Sequence, residues 1–297
     1  MKILLLGKNG QLGRELQYSL KPLGELIALD RNSDICGDLT NLKALHQTIL
    51  TLTPDIIVNA AAYTQVDNAE KETELAYLVN AKAPEVMAQA CASTGAWFIH
   101  YSTDYVFDGS GTSPWKESDI TRPLNVYGKS KLDGEKAIIN SECNHLIFRT
   151  SWVYGAHGSN FIKTILRLAR EKSSLNIVSD QIGVPTDVEL LANVSVNAIK
   201  TVWQNPELGG LYHLAPSGET SWYDYARFLI NEAKKIRQDY LIQDIYPITS
   251  EEYPTPAQRP LNSRLDTTKL TSRFSVDLPE WKTGVVRTLG KILGSAL

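Results

Sequence analysis

The apolar run MKILLL ends at residue 6, and glycines then fall at positions 7, 10 and 13 in GKNGQLG. That junction constrains the fold more than any other stretch. A short continuous apolar run reads as a strand buried on both faces, and Gln11–Leu20 behind it reads as a helix. A two-sided strand followed at once by a helix calls for a parallel sheet covered on both faces. The alternation continues. Glu25–Asp30, Asp55–Asn59, Trp97–Ser102 and His145–Thr150 read as strands. Asn41–Leu52, Glu72–Thr94 (one or two helices) and Tyr127–Asn140 read as the helices between them.

After residue 150 the rhythm changes. Asn160–Lys172 reads as a helix, and Asp187–Gln204 as a long amphipathic helix capped by Thr186 or Asp187. Gly210–Leu214 reads as one more strand, and Ser221–Ile236 as a helix with Ser221 as N-cap and Asp224 three residues on. From Asp239 the chain is rich in Pro and Thr and reads as loop. The expected fold class is α/β, a Rossmann-type doubly wound parallel sheet with a smaller mixed α/β lobe. The sheet domain is expected to take residues 1–150 plus about 187–215, and a substrate-binding lobe about 151–186 plus 216–297, with the ligand cleft between them.

Composition narrows the function classes. The 297 residues carry 30 Lys and Arg against 33 Asp and Glu, a net charge of −3 with no basic block, which argues against nucleic acid as a partner. Cys36, Cys91 and Cys143 are odd in number and far apart, with no disulfide or zinc-like spacing, so a reducing compartment is expected. The apolar start is too short for a signal peptide, and no run approaches the ~20 apolar residues of a membrane span. A cytoplasmic protein without membrane contact is the expectation. Five histidines show no paired metal spacing and receive no role.

Strand, glycine turn and helix together form a seat for a dinucleotide pyrophosphate, because glycine lets backbone approach the phosphates and the helix N-terminus supplies N–H groups. Gly7, Gly10 and Gly13 follow G-x-x-G-x-x-G, where the usual fingerprint is G-x-G-x-x-G. An ordinary tight turn is the alternative, so the context has to decide. Asp30 closes the second strand, where a carboxylate accepts bonds from the adenosine ribose. Arg31 follows, and a guanidinium pairs with a 2′-phosphate. Asp30 favours NADH and Arg31 favours NADPH, so either cofactor fits. Asp38 and Leu39, and then Ala61, Ala62, Tyr63 and Thr64, fall at carboxyl ends of strands where a cofactor would lie.

Tyr127 and Lys131 stand at i and i+4, on one helix face and about 6 Å apart along its axis. A phenol titrates at about 10 and is a poor acid at neutral pH; an adjacent ammonium favours the phenolate and tunes it for proton transfer. A surface Tyr–Lys pair is the plainer reading. A helping hydroxyl should come from a strand end, and Ser102 and Thr103 are both there; alternation lets only one face the cofactor, and Thr103 is preferred.

GKNGQLG, NAAAYTQVD, YSTDYVFDG, NVYGKSKLDGE and FRTSWVYG together resemble the extended short-chain dehydrogenase/reductases and, more narrowly, the dTDP-4-dehydrorhamnose reductase family. DQIGVPT, GLYHLA and YPTPAQRPLNSRLDT fit the same family, so the resemblance covers nearly the whole chain. It implies reduction of the 4-keto group of dTDP-4-dehydro-β-L-rhamnose by NADPH or NADH, the last step to a rhamnose donor used in cell-surface polysaccharide such as O antigen. By resemblance, Tyr127 gives the proton, Lys131 binds the nicotinamide ribose and lowers the Tyr127 pKa, and Thr103 bonds the keto oxygen or the phenol. Gly10, Gln11 and Leu12 would cradle the pyrophosphate. Thr103, Asp104 and Trp152 would contact substrate, with a lobe-packing tryptophan as the alternative for Trp152. Arg259 would meet the diphosphate, with a surface salt bridge as its alternative. Family members also resemble one another in placing glutamates at a dimer interface to bind Mg2+. Glu15 and Glu189 match two such positions, but the third falls on Lys291, whose ammonium would repel a cation. No metal is therefore expected, and a homodimer is left open. The competing expectations are an epimerase or reductase of another sugar nucleotide, and a non-catalytic, cofactor-binding regulatory subunit.

Overall fold

A computed structural model describes residues 1–294. The first half of the chain runs β1 (Lys2–Leu6), α1 (Gln11–Leu20), β2 (Glu25–Leu29), α2 (Leu42–Leu52), β3 (Ile56–Asn59), the short helices α3 (Val66–Ala69) and α4 (Thr73–Tyr77), α5 (Ala83–Thr94), β4 (Trp97–Thr103), α6 (Val126–Asn140) and β5 (His145–Thr150). The second half runs β6 (Val153–Tyr154), α7 (Phe161–Glu171), β7 (Ser174–Val178), β8 (Ile182–Gly183), β9 (Thr186–Asp187), α8 (Val188–Gln204), β10 (Gly210–His213), β11 (Thr220–Ser221), α9 (Trp222–Ile236), β12 (Asp244–Ile248), α10 (Thr268–Phe274) and α11 (Trp281–Leu293).

Six strands form one parallel sheet in the order β10-β5-β4-β3-β1-β2. The opening run is apolar throughout because β1 lies inside this sheet and is covered twice. Leu4 and Leu6 pack with Leu45, Ile49 and Met87 on one face, and Ile3 and Leu5 with Leu16, Leu191 and Ile199 on the other. The chain leaves β1 toward β2 and then returns to the opposite side as β3. The strand order therefore reverses there, which opens a crevice at the carboxyl ends of β1, β3 and β4.

α8 and β10 return to the sheet: α8 packs on α1, and β10 pairs with β5. Asp187 is the α8 cap, accepting from the Glu189 and Leu190 N–H groups at 2.7 and 3.0 Å. The smaller lobe is made of two-stranded pairs and of α7, α9 and α11 around an aromatic centre of Tyr154, Phe161, Trp222, Tyr225 and Trp281.

The stretch after Asp239 departs from the loop expected of it, since it holds β12, α10 and α11. Pro247 lies inside β12, which among the described residues pairs with β7 alone and so can spare an N–H. Gly284 lowers the helical signal of α11, yet a Cβ there would stand 2.8 Å from the Tyr154 hydroxyl, so close packing requires the glycine. α10, assigned by sequence to the smaller lobe, packs its Leu270 and Phe274 into the sheet's core, with Phe274 edge-on to Tyr212 of β10. Between α4 and α5 the backbone widens into one π-helical turn, Leu78–Lys82.

Candidate active site

The glycine turn is built for close backbone contact. Gly7 has φ +85°, and a Cβ there would stand 2.8 Å from the Ala61 nitrogen. A Cβ on Gly13 would collide with the Gly7 carbonyl, so the first turn of α1 lies against β1. Gly10 is the α1 N-cap and brings no side-chain acceptor, which leaves the leading N–H groups of the helix open to an anion. These features fit a bound pyrophosphate. Leu12 is buried in the core, so only its backbone faces the turn. The Gln11 side chain is committed elsewhere: its Oε1 accepts from the Gly155 N–H at 3.0 Å and from Asn160 Nδ2 at 2.8 Å, tying α1 to the smaller lobe.

At the end of β2, the Asp30 carboxylate already accepts several local bonds. It takes the Ser33 hydroxyl at 2.9 Å and the Asn32 N–H at 3.0 Å, bonds Asn9 Nδ2, and lies 3.9 Å from Lys8 Nζ. The Ser33 hydroxyl bond, with help from the Asn32 N–H and the Lys8 charge, holds its pKa below the usual value. Arg31 is exposed. Asp38 accepts from the Thr40 N–H and hydroxyl, both at 2.9 Å, in the turn that leads into α2, and Leu39 is buried. Ala61, Ala62 and Tyr63 are half-buried beyond β3, whereas Thr64 is exposed. Tyr63 is held by a residue the sequence reading passed over: Asn80, in the π turn, accepts the Tyr63 N–H at 2.8 Å, donates to its carbonyl at 3.0 Å and reaches the Ser130 hydroxyl at 3.1 Å. The amide thus sits on the widened turn, buried among these contacts.

α6 carries the candidate acid–base pair. Asn125 caps it by accepting the Gly128 N–H at 2.8 Å, and a Cβ on Gly128 would strike the Tyr105 carbonyl, so the first turn lies hard against the end of β4. That brings the Tyr127 ring edge-on to Tyr105, with centroids 5.5 Å apart. Of the two hydroxyls considered, Thr103 is the one beside the phenol, close enough to lower its pKa; Ser102 points to the other face, opposite Arg149 in register. Burial dominates all the same and pushes Tyr127 up to about 12, with the nearby Asp104 charge acting in the same direction.

Lys131 is 2% exposed, and burial pulls its pKa down to about 8 against the opposing charge of Glu135. The sequence aims this ammonium at the phenol. In the structure Nζ turns inward, donating to the Tyr101 carbonyl at 2.6 Å and meeting His100 Nε2 at 3.1 Å. One turn further along α6, Glu135 holds Arg149 of β5 in a buried two-pronged pair, at 2.9 Å to Nε and 2.7 Å to Nη2. None of Asn59, Asn80, His100, Glu135 or Arg149 was singled out in advance. The available signal was a polar residue inside an otherwise apolar strand, as His100 is in WFIHYS.

Asp104 is 2% exposed, and its Oδ2 has no hydrogen-bond partner among the described residues. Burial raises its pKa to about 6, although hydrogen bonds from Ser263 and Thr103 oppose the rise. Trp152 has a left-handed backbone (φ 47°) and stacks one face flat on Trp222, with centroids 3.6 Å apart. Arg259 pairs with Asp67 at 2.6 Å, the salt bridge that was its alternative reading. The pair stands at the mouth of the site, because Asn125 donates to the Gln258 carbonyl at 2.8 Å and the Arg259 charge acts on Tyr105. Glu189 is held by Lys291 at 2.7 Å and Arg287 at 3.1 Å, and among the described residues no group of three or more His, Cys, Asp or Glu is placed to hold a metal. Among those residues no helix is long and apolar enough to cross a membrane.

Comparison with known proteins agrees with this geometry. A family model described as the RmlD substrate binding domain matches residues 1–293. The dTDP-4-dehydrorhamnose reductase of Salmonella typhimurium is 53% identical over 290 residues, 97% of each chain, and that of Escherichia coli is 52% identical over 293 residues, 98% of each. A solved dTDP-4-dehydrorhamnose reductase from Bacillus anthracis, in complex with NADP, is 35% identical with a TM-score of 0.87, covering 97% of this chain and 99% of its own. With the glycine turn, α6 and both lobes inside that match, the chain belongs to the dTDP-4-dehydrorhamnose reductase family.

Proposed function

We propose that the protein reduces the 4-keto group of dTDP-4-dehydro-β-L-rhamnose to dTDP-β-L-rhamnose at the crevice between its lobes. The observation that carries this reading is the placement of the half-buried Tyr127 phenol. It stands beside Thr103 at the end of β4, two strands and so about 10 Å across the sheet from the uncapped N-terminus of α1. A reduced nicotinamide, when bound, supplies hydride. The chain then has to supply a proton at the developing alkoxide, and a phenol kept protonated by burial is suited to that. Thr103 would orient the phenol or the keto oxygen. Asp104, Trp152 and Arg259 would line the sugar and diphosphate side.

For the cofactor, NADPH is the better fit. The Asp30 carboxylate is largely engaged by its own turn, while Lys8, Arg31 and the Ser33 hydroxyl gather at the end of β2, where a 2′-phosphate would lie. Arg31→Ala is expected to weaken NADPH several-fold and NADH little; equal losses would take Arg31 away from the 2′-phosphate. Three unpaired cysteines and use of a reduced cofactor fit the cytoplasm as the site of reaction.

The direct test mixes protein, NADPH and dTDP-4-dehydro-L-rhamnose and follows the reduced-nicotinamide absorbance, with NADH in parallel. Stoichiometric loss of absorbance with formation of dTDP-rhamnose is the expected result. Cofactor binding without consumption would overturn the reading in favour of an epimerase or a regulatory subunit.

A further inference from the structure

Tyr127, Lys131 and Glu135 stand at i, i+4 and i+8, so one face of α6 carries all three, each about 6 Å along the axis from the last. Lys131 and Glu135 are 2% and 1% exposed. A buried ammonium is costly unless a negative charge lies close. The direct bonds of Lys131 supply none. Nζ donates to the Tyr101 carbonyl and meets His100, whose ring burial keeps neutral by pushing its pKa well below the usual value. Behind that ring stands the Asn59 amide, 3.2 Å from Nδ1 and also uncharged.

The Glu135 carboxylate, one turn further along, is the negative charge on this face, and it is shared. Arg149 reaches it from β5 with two nitrogens. The third, Nη1, is buried with no hydrogen-bond partner among the described residues, and the guanidinium lies over the Phe107 ring at 5.1 Å. The neighbours of Arg149 in register are Ser102 and His213, neither of them an acid. Glu135 is therefore the counter-ion of Arg149 as well. A carboxylate set between two cations favours each of them less than it would favour either alone.

We propose that Glu135 and Arg149 are positioning residues for the acid–base step: the Glu135 carboxylate is the counter-charge that keeps the buried Lys131 an ammonium one turn from Tyr127, and Arg149 fixes that carboxylate and tempers its charge. The direction of the titration shift agrees. Burial pulls Lys131 down to about 8, the Glu135 charge opposes the fall, and the residue stays an ammonium at neutral pH. The charged and titratable groups around Lys131 are Tyr127 and Glu135 on α6, His100 on β4, Asp104 and Tyr105 in the turn after β4, and Arg149 on β5. Asp104, the other acid, acts on Tyr127 and Tyr105. On the remaining elements packed against α6 the charges are engaged elsewhere: Asp67 of α3 with Arg259, and Lys82 with Glu85 on the surface, while Tyr77 of α4 faces the Asp133 charge.

The consequence rests on the reductase reading. Giving its proton to the alkoxide leaves Tyr127 a phenolate, in surroundings where burial disfavours negative charge. An ammonium one turn along the helix offsets that cost. Lys131 does so only while it holds its own proton against the same burial, and Glu135 is what lets it. The charge on Lys131 is measured without turnover, so it can fail independently of that reading.

The experiment uses the full chain with 15N-labelled lysine side chains, the Lys131 signal being assigned by its loss in Lys131→Arg. Glu135→Gln keeps the shape and a carbonyl for Arg149 but removes the charge. The Lys131 titration midpoint should fall by about one pH unit or more, a tenfold or larger loss of proton affinity. Arg149→Gln removes the competing cation while leaving an amide to hold the carboxylate, and should raise the midpoint by about half a unit or more. Opposite signs are the signature of charge, since loosened packing would move both variants the same way. An unchanged midpoint in Glu135→Gln, or shifts of one sign in both, would overturn the proposal. In turnover with NADPH, the alkaline limb of the kcat profile should move to lower pH in Glu135→Gln and return toward the wild type in Glu135→Asp, which restores the charge; a limb that stays in place throughout would also overturn it. If a single variant does not fold, Glu135→Leu combined with Arg149→Met leaves no charge stranded. The midpoint should again fall, and one at or above the wild type's would count against Glu135 as the counter-charge.

Discussion

Beneath α6 the side chains of Glu135 and Arg149 are 1% and 5% exposed, whereas between α8 and α11 those of Glu189, Arg287 and Lys291 are 28%, 37% and 50% exposed. Both clusters pair carboxylates with cations at similar distances, yet their physics differs. Water screens the α8–α11 belt, so each of its bonds replaces one that solvent would otherwise make. The seam beneath α6 has no such alternative: a charge there is held by its partner or is expensive. The same low dielectric that makes the seam costly to break makes its protonation states movable, which is why the shifted groups Tyr127, Lys131, His100 and Asp104 gather at this end of the sheet.

Four measurements would break or sharpen that contrast. Tyr127→Phe removes the proton donor from the seam and little else; kcat should fall by about 10²–10⁴-fold with cofactor binding retained, and full activity would remove the phenol from the chemistry. Arg149→Met strands the buried Glu135 carboxylate. Chemical denaturation should show a loss of about 3–5 kcal/mol, much of it recovered when Glu135→Leu is added, because a buried pair can be replaced by apolar packing more cheaply than it can be broken. A loss below about 1 kcal/mol would mean that the seam is wetter than its exposure indicates.

Asp104 gives a test through pH. Unfolded, its carboxyl ionises at its ordinary 3.8; folded, at about 6. Between those values the folded state holds a proton that the unfolded state has lost. Stability therefore falls as pH rises through that window, by roughly 2–3 kcal/mol in all. Asp104→Asn should flatten this fall in melts taken on either side of the window; an unchanged slope would assign the pH dependence elsewhere. The smallest effect belongs to the belt. Lys291→Ala removes one of the two cations on Glu189 and should cost no more than about 1 kcal/mol, less in high salt. A loss comparable with that of Arg149→Met would erase the distinction between the two clusters.

Legibility followed the range of the interactions. The ends of α1 and β5 are readable to the residue because each rests on a local signal: a glycine turn, or an apolar run with a helix beside it. Ser221 and Asn125 cap their helices within three residues of themselves. By contrast, α11 is masked by Gly284, which makes sense only against Asp187 and Tyr154, and β12 by Pro247, which makes sense only on an edge. Trp152 could have faced a sugar or a lobe, and it took a partner seventy positions away, Trp222, to decide its packing.

By itself, the amino-acid sequence determined the parallel α/β sheet, the glycine seat on α1, the i, i+4 placement of Tyr127 and Lys131 on one helix face, and the family, since all of these are written in spacing and local pattern. Only the tertiary structure decided where the Lys131 nitrogen points, that Asp30 accepts bonds from Asn9, Asn32 and Ser33, and that Asn59, His100, Glu135 and Arg149 lie together in the dark behind the site. Those facts depend on strand register and burial, which join residues dozens of positions apart. Desolvation, the force that shifts these groups, does not exist until the chain has closed over them.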